Sequence, residues 1–188
     1  IRAGLVLGAN GSSFNIMYRL VKNLPFLIFP NWTKAKSNPI YIGDLIKVVI
    51  TCLKKDYKGN RIYEVGSKDS LSYRKMMLIL SQKIGEKKKI LTIPFISPKI
   101  VKYLVSWITR SPKHLTHPLV ESLKYPMIPN KKYEFDLEKI DFKNYEDSLN
   151  IILRSEIKKR NPHAFKIHKY DKKDVRSVQR INTNKDPY

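Results

Sequence analysis

Cysteine, acidic residues and long apolar runs are all scarce in this chain of 188 residues. Cys52 is the only cysteine, which excludes a disulfide framework within the chain and favours a reducing compartment. No apolar run approaches the roughly 20 consecutive residues that a membrane-spanning helix requires. The sequence therefore predicts a cytoplasmic protein that has no transmembrane segment.

The shortage of carboxylates leaves a large excess of positive charge. Lysine and arginine number 37 against 16 aspartate and glutamate residues, which gives a formal net charge of +21. Such a balance is typical of proteins that bind a polyanion, either nucleic acid or an anionic membrane surface. The lysines are spread along the whole chain, however, and arginine, which recognises phosphate in a bidentate manner, is the minority cation. A biased composition with a solvated basic surface is therefore the favoured interpretation.

Short apolar runs alternate with segments of helical periodicity along most of the chain. Residues 1–7 have the apolar pattern of a buried parallel strand, and Ser12 or Ser13 can cap the helix that follows. Asp44 is placed to cap a second helix. The apolar residues of that helix, which we expect to be buried, are Leu45, Ile46, Val48, Val49, Cys52 and Leu53. This alternation predicts an α/β protein.

Later segments carry clearer signals for the ends of helices. Ser72 is placed to cap a helix, Gly85 to end it, and Asn144 to cap the last helix. Residues 100–107 form an amphipathic stretch flanked by basic residues. This stretch is compatible with a membrane surface, but its apolar face more simply closes a core.

The glycine-rich turn after the first strand is a candidate phosphate cradle. A dinucleotide fingerprint requires Gly-x-Gly-x-x-Gly. Gly8 and Gly11 supply the last two glycines, but Val6 occupies the first position. No acidic residue occurs before Asp44 to bind a ribose hydroxyl. Close backbone packing and a turn after a later strand therefore explain these glycines better than a cofactor cradle does.

No set of residues has the spacing of a metal site or a catalytic centre. His114 and His117 have prolines on either side and no cysteine or carboxylate at zinc-like spacing. Cys52 lies on an apolar helix face, where a core position is the simpler interpretation. We predict neither a metal ion nor a catalytic residue in this chain.

The chain contains a recognisable series of segments. They are residues 1–14, residues 39–44 (Pro-Ile-Tyr-Ile-Gly-Asp), residues 59–66 (Gly-Asn-Arg-Ile-Tyr-Glu-Val-Gly) and residues 69–73 (Asp-Ser-Leu-Ser-Tyr). In this order they resemble extended and atypical short-chain dehydrogenase/reductases. Three further segments, residues 97–109, 117–123 and 174–180, are similar to one subgroup. That subgroup is the NmrA-like NAD(P)-binding proteins that carry an appended, uncharacterised domain.

The resemblance implies a fold and a division of the chain. The implied fold is the C-terminal part of a Rossmann-like parallel sheet with a small α/β substrate-side subdomain, lacking the N-terminal nucleotide-binding half. We expect this part to span residues 1–160. Residues 161–188 are expected to be a linker and the truncated start of the appended domain, because apolar residues thin out after Asn161. The chain is then a fragment whose partner is the missing half of the fold.

The resemblance also implies a cofactor and a set of site residues. NAD or NADP is the cofactor of an intact parent that transfers hydride to or from an unidentified small molecule. The cofactor-binding residues are expected to be Gly8 and Gly11, and the substrate-side residues Arg2, Ser12, Ser13, Phe14 and Tyr41. The family's fingerprint is absent, and no Tyr-x-x-x-Lys pair lies in a suitable place. We therefore expect neither catalysis nor cofactor binding by this chain alone.

Two other functions stay open at this point. The net charge of +21 is compatible with a basic binding module for nucleic acid or anionic lipid. A non-catalytic relative that binds a nucleotide only to stabilise a complex is the third interpretation. The sequence does not separate this third interpretation from the reductase-like one.

Overall fold

Short strands that pair in parallel form the framework of this computed structural model, which describes residues 1–54, 59–94, 96–133 and 140–160. The parallel pairs are β1 (Arg2–Ala3) with β6 (Glu64–Val65), β2 (Val6–Leu7) with β5 (Ile40–Tyr41), and β3 (Phe26–Pro30) with β8 (Lys89–Ile93). An antiparallel pair, β4 (Lys36–Ser37) with β7 (Leu71–Ser72), was not predicted from the sequence.

Helices accompany these strands throughout the described residues. They are α1 (Ser12–Asn23), α2 (Ile42–Leu53), α3 (Tyr73–Lys83), α4 (Pro98–Thr109), α5 (Lys113–Ser122) and α6 (Tyr145–Arg160). Short 3-10 helices occur at Asn31–Lys34 and Lys131–Tyr133. The predicted α/β class with parallel pairing is confirmed. The segment predicted from residue 161 onward lies outside the described residues.

Two of the predicted helix caps are confirmed. Ser72 Oγ accepts a hydrogen bond from Lys75 N at 3.3 Å at the start of α3. Asn144 Oδ1 accepts one from Asp147 N at 2.8 Å at the start of α6. Each cap satisfies an amide of the first turn that has no partner within the helix. Gly85 follows α3 with a φ of +76°, the left-handed conformation that a glycine adopts readily after a helix.

The caps predicted for α1 and α2 are wrong. Ser12 and Ser13 already belong to α1, which begins after Gly11, and the Gly11 carbonyl accepts a hydrogen bond from Asn15 N at 3.0 Å. Tyr41 precedes α2, so Asp44 lies inside the first turn of that helix. Both helices begin where extended backbone turns, without a capping side chain.

The continuous strand predicted for residues 1–7 is divided into β1 and β2. Gly4 lies at the break, where a Cβ atom would come within 3.1 Å of Met127 Cβ. Leu5 is buried beside the break, and its carbonyl accepts a hydrogen bond from Ile40 N at 2.9 Å. The division lets one extended segment pair first with β6 and then with β5.

The main core lies where α1, α3 and α6 pack against the strands. Leu7, Val21, Met76 and Tyr145 are all fully buried in it. The Tyr145 hydroxyl donates to the Met76 carbonyl at 3.0 Å, so the polar end of this ring is satisfied inside the core. Burying one such large apolar side chain stabilises a fold by about 1.5–3 kcal/mol. Ile1–Ser155 form one compact unit around this core.

Two carboxylates accept hydrogen bonds from backbone amides of the segment that leads into α6. Asp44 is fully buried, and its Oδ2 accepts a hydrogen bond from Lys143 N at 2.8 Å while its Oδ1 accepts one from Lys47 Nζ at 3.0 Å. Asp69 Oδ2 accepts from Tyr145 N at 2.6 Å. Asp44 therefore accepts a hydrogen bond from a backbone amide far along the chain and does not cap its own helix.

Replacing Asp44 with alanine should destabilise the fold by about 3 kcal/mol, because a buried charged hydrogen-bond acceptor is lost. Asp141→Ala is the matched control, since it removes the same charge from an exposed position of the same segment. We expect the control to change the free energy of unfolding by less than about 0.5 kcal/mol. Urea unfolding followed by circular dichroism measures both. Equal losses would contradict the role of Asp44.

Glu121 joins α4 to the end of α5. Its carboxylate pairs with Lys102 of α4 at 2.5 Å and also with Lys124. The hydrogen bond from Lys102, followed by the one from Lys124, lowers the pKa of Glu121 to about 2. The lowered pKa means that the ionised carboxylate stabilises the folded state. This contribution is present at neutral pH and is lost as the pH falls from the unfolded value of about 4.5 towards 2.

Glu121→Gln should therefore lower the thermal midpoint at pH 7 and make no difference near pH 2. Thermal unfolding followed by circular dichroism across this range gives both midpoints. Glu146→Gln is a suitable comparison, because Glu146 forms a single ion pair with Lys83 and is more exposed. If Glu121→Gln lowers the thermal midpoint by the same amount at pH 2 as at pH 7, the ionised Glu121 carboxylate does not stabilise the fold.

Candidate functional site

Most of the predicted site lies at the carboxyl ends of β2 and β5. Leu7 and Tyr41, the last residues of these two strands, are direct neighbours in the parallel register. α1 begins a few residues after Leu7, and α2 begins immediately after Tyr41. Both helix N-termini are therefore at one sheet edge, where their unpaired amides give a partial positive charge.

A tight turn joins β2 to α1. Gly11 N donates to the Gly8 carbonyl at 2.9 Å, which closes the turn as predicted. A Cβ atom on Gly8 would lie 3.2 Å from Ile42 Cγ2, and one on Gly11 would lie 3.1 Å from the Gly8 oxygen. Among the described residues only Gly59, Gly85 and Arg110 have positive φ, so limited space, rather than backbone conformation, favours glycine at positions 8 and 11.

The three residues after the turn differ in exposure. Ser12 is exposed and Ser13 is half-buried, and they are the first two residues of α1, directly after the turn. Phe14 is only 1% exposed and belongs to the main core, with its ring centroid 6.0 Å from that of Tyr18. Phe14, predicted from the sequence to be a substrate-side residue, thus lies in the main core of the structure.

Tyr41 is half-buried beside the start of α2. Its ring lies over Gly43, where a Cβ atom would come within 2.5 Å of Tyr41 Cε1. Burial, and secondly the negative charge of Asp44, raises the pKa of the Tyr41 hydroxyl, although Lys47 partly opposes this. The hydroxyl therefore keeps its proton at neutral pH. A protonated phenol at this edge can donate a hydrogen bond to a ligand oxygen.

Arg2 lies at the opposite end of the strand segment. It faces Glu64 across the β1–β6 pair, and Arg2 Nη1 approaches Glu64 Oε1 at 3.4 Å. At about 3.3 Å per residue, the distance from Arg2 to Gly8 is at most about 20 Å. Arg2 thus lies at the start of the strand segment rather than at the Gly8–Gly11 turn, and its ion pair links β1 to β6.

One Tyr-x-x-x-Lys spacing does occur, at Tyr18 and Lys22 on α1. Tyr18 packs against Phe14, and Lys22 Nζ donates to Glu86 Oε1 at 2.9 Å. Lys22 is thus engaged in an ion pair between α1 and the segment before β8. This pair joins two parts of the fold and is away from the Gly8–Gly11 turn.

Metal ligands do not converge in the described part of the chain. No group of three histidine, cysteine, aspartate or glutamate side chains is arranged to hold an ion there. The His117 ring instead meets Tyr103 edge to face, with ring centroids 5.3 Å apart. Cys52 is half-buried against the cluster around Ile40 and Val48, in agreement with its predicted core position.

Two residues of the site were missed by the sequence analysis. Ile42 closes the turn against Gly8, and Gly43 makes room for the Tyr41 ring. A glycine directly after the Pro39–Ile42 segment was the available signal for Gly43.

No helix among the described residues is long and apolar enough to cross a membrane.

Among solved structures, this chain is similar to the dTDP-4-dehydrorhamnose reductase of Bacillus anthracis strain Ames in complex with NADP. The TM-score is 0.52 at 16% sequence identity, and the match covers 82% of this chain. It covers 46% of the reductase, so the chain spans about half of that protein's length. This likeness shows a Rossmann-like reductase fold. No family model matches the sequence, and no curated protein matches it.

The contact between Gly8 and Ile42 is open to a double-mutant cycle. We expect Gly8→Ala to destabilise the fold by about 1 kcal/mol, because the new methyl group presses on Ile42 Cγ2. The Ile42→Ala background removes that atom. In this background, Gly8→Ala should leave the free energy of unfolding almost unchanged. Ile42 is partly exposed, so this background remains folded. Additive losses in urea unfolding would show that the two residues do not press on each other.

Proposed function

We propose that this chain forms the substrate-side half of an NAD(P)-dependent reductase-like protein. The observation that carries the proposal is the shared edge at which β2 and β5 end and α1 and α2 begin. Ligands of open parallel sheets bind outside the carboxyl ends of the strands. The Rossmann-like fold of the reductase that is solved with NADP supports this placement.

The residues at this edge fit the reacting end of such a ligand better than its phosphates. Gly8 and Gly11 allow close approach to the backbone, while Ser12, Ser13 and Tyr41 offer hydroxyl groups. The sequence contains no Gly-x-Gly-x-x-Gly turn to hold a pyrophosphate. A bound nicotinamide would supply the hydride, and the residues of this chain would orient the substrate beside it.

The protonated Tyr41 hydroxyl is the group best placed to orient a carbonyl or hydroxyl of the substrate. Its raised pKa makes it a hydrogen-bond donor rather than a base at neutral pH. Ser12 adds an exposed hydroxyl in the first turn of α1. These contributions position the substrate without completing a proton-transfer system, so catalysis requires residues that this half does not provide.

Titration of the full chain with NADPH and with a thymidine diphosphate sugar tests the proposal. Calorimetry should detect no micromolar NADPH binding, because the pyrophosphate cradle is missing. Amide NMR should show weak, roughly millimolar shifts at Gly8, Gly11, Ser12 and Gly43 with either ligand. Micromolar NADPH binding, or shifts confined to other parts of the chain, would overturn the proposal.

Two matched variants sharpen this titration. Tyr41→Phe removes only the hydroxyl group and should weaken the sugar-nucleotide shifts about three- to tenfold, because one hydrogen bond is lost. Tyr63→Phe serves as the control, since Tyr63 directly precedes β6 and its carbonyl accepts a hydrogen bond from Arg2 N, at the other end of the strand segment from the turn. Equal effects of the two substitutions would remove Tyr41 from the ligand site.

A further inference from the structure

An apolar stripe on α4 is exposed to solvent. Its large side chains recur at helical spacing on one face, and three are more than half exposed: Ile100 (61%), Tyr103 (57%) and Trp107 (79%), with Leu104 beside them. The opposite face of α4 carries Val105, which packs with Ile16 of α1 and Val120 of α5. The core contact predicted for residues 100–107 therefore uses only half of the helix.

Positive charge borders this α4 stripe. Lys99 and Arg110 are exposed at the two ends of the helix. Lys113 of α5 places its Nζ 5.0 Å from the centroid of the Tyr103 ring. Glu121 is the only carboxylate in the sequence of α4 and α5, and Lys102 and Lys124 already neutralise it. The sequences of α4 and α5 thus leave an excess of positive charge around the α4 stripe.

A cleft continues from the Trp107 end of the stripe. It has a volume of about 700 Å³ and is lined by Arg19, Asn23, Trp107, Ile108, Thr109 and Arg110, none of which is acidic. Arg19 Nη1 donates to the Thr109 carbonyl at 2.6 Å, so one side of its guanidinium group remains for another acceptor. Two guanidinium groups beside an indole suit a phosphate group next to an apolar chain.

We propose that the α4 stripe and this cleft dock on an anionic lipid bilayer surface. The apolar side chains from Ile100 to Trp107 extend about 10 Å along the helix, long enough to lie in the boundary between headgroups and acyl chains. The surrounding cations meet the negative surface of the bilayer. Nucleic acid fits this face less well, because the aliphatic side chains Ile100 and Leu104 would remain unburied against a phosphate backbone.

A second exposed apolar stripe provides an internal comparison. On α2, Ile46, Val49 and Leu53 are exposed, contrary to the buried positions predicted from the sequence. The neighbouring Lys47 is paired with the buried Asp44. Lys54 follows Leu53 at the C-terminal end of α2, whereas the Ile46 end of the α2 stripe has apolar area beside a lysine that is already paired. A variant of the α2 stripe therefore measures the effect of exposed apolar area alone, and a variant of the α4 stripe measures the effect of apolar area combined with positive charge.

Vesicle flotation with the full chain tests the docking surface. The chain should float with phosphatidylcholine vesicles that contain about 30% phosphatidylserine, not with phosphatidylcholine alone, and salt should release it. Trp107→Ser should lower the partition coefficient at least about tenfold. Arg110→Asn should lower it about fivefold. Arg110 has a left-handed backbone, which asparagine also adopts, so this variant removes the charge without straining the chain.

Ile46→Ser on α2 is the matched control, because Ile46 is 50% exposed and the neighbouring Lys47 is already paired with Asp44. It should leave flotation unchanged, and all three variants should keep the thermal midpoint of the parent chain. Equal binding to neutral vesicles, or no loss with Trp107→Ser, would overturn the proposal. It would also fail if single-stranded RNA bound more tightly than the vesicles and Trp107→Ser and Arg110→Asn both weakened that binding.

Discussion

Among the carboxylates that link separate parts of this strongly basic chain, the buried Asp44 is the one on which the fold depends most. Glu64 binds Arg2 across a strand pair and also accepts a hydrogen bond from Asn130 N. Glu86 pairs with Lys22 of α1 and with Lys88. Single exposed pairs of this kind contribute little. The buried Asp44 differs, because losing it leaves the Lys143 amide without its acceptor in the interior.

Features fixed by neighbours in sequence could be predicted, whereas those fixed by packing could not. The caps at Ser72 and Asn144 each involve an amide three residues along the chain, so the local pattern is sufficient. Asp44 has the same local pattern, yet its partner is Lys143 N. Leu53 and Trp107 have the spacing of core residues, but no other described element covers them. Periodicity identifies an apolar face without showing whether another element reaches it.

The same distinction between local and long-range contacts applies to the candidate site. The Gly8–Gly11 turn is a local structure, and the spacing of its glycines is sufficient to predict it. Tyr41 joins the turn only because β5 pairs with β2, a contact between distant parts of the chain. Phe14 shares the buried face of α1 with Met17 and Val21, because residues at this helical spacing lie on one side of the helix.

The same reasoning decides how the net charge of +21 is interpreted. Most cations lie apart along the sequence, and a biased composition explains them without a partner. Charge becomes informative where a second property coincides with it at one place. On α2, the exposed Ile46 lies beside Lys47, which is already paired with Asp44, so the apolar area there does not coincide with available charge. On α4, Trp107 and Arg110 share one cleft. That coincidence, more than the total charge, distinguishes a docking surface from a solvated one.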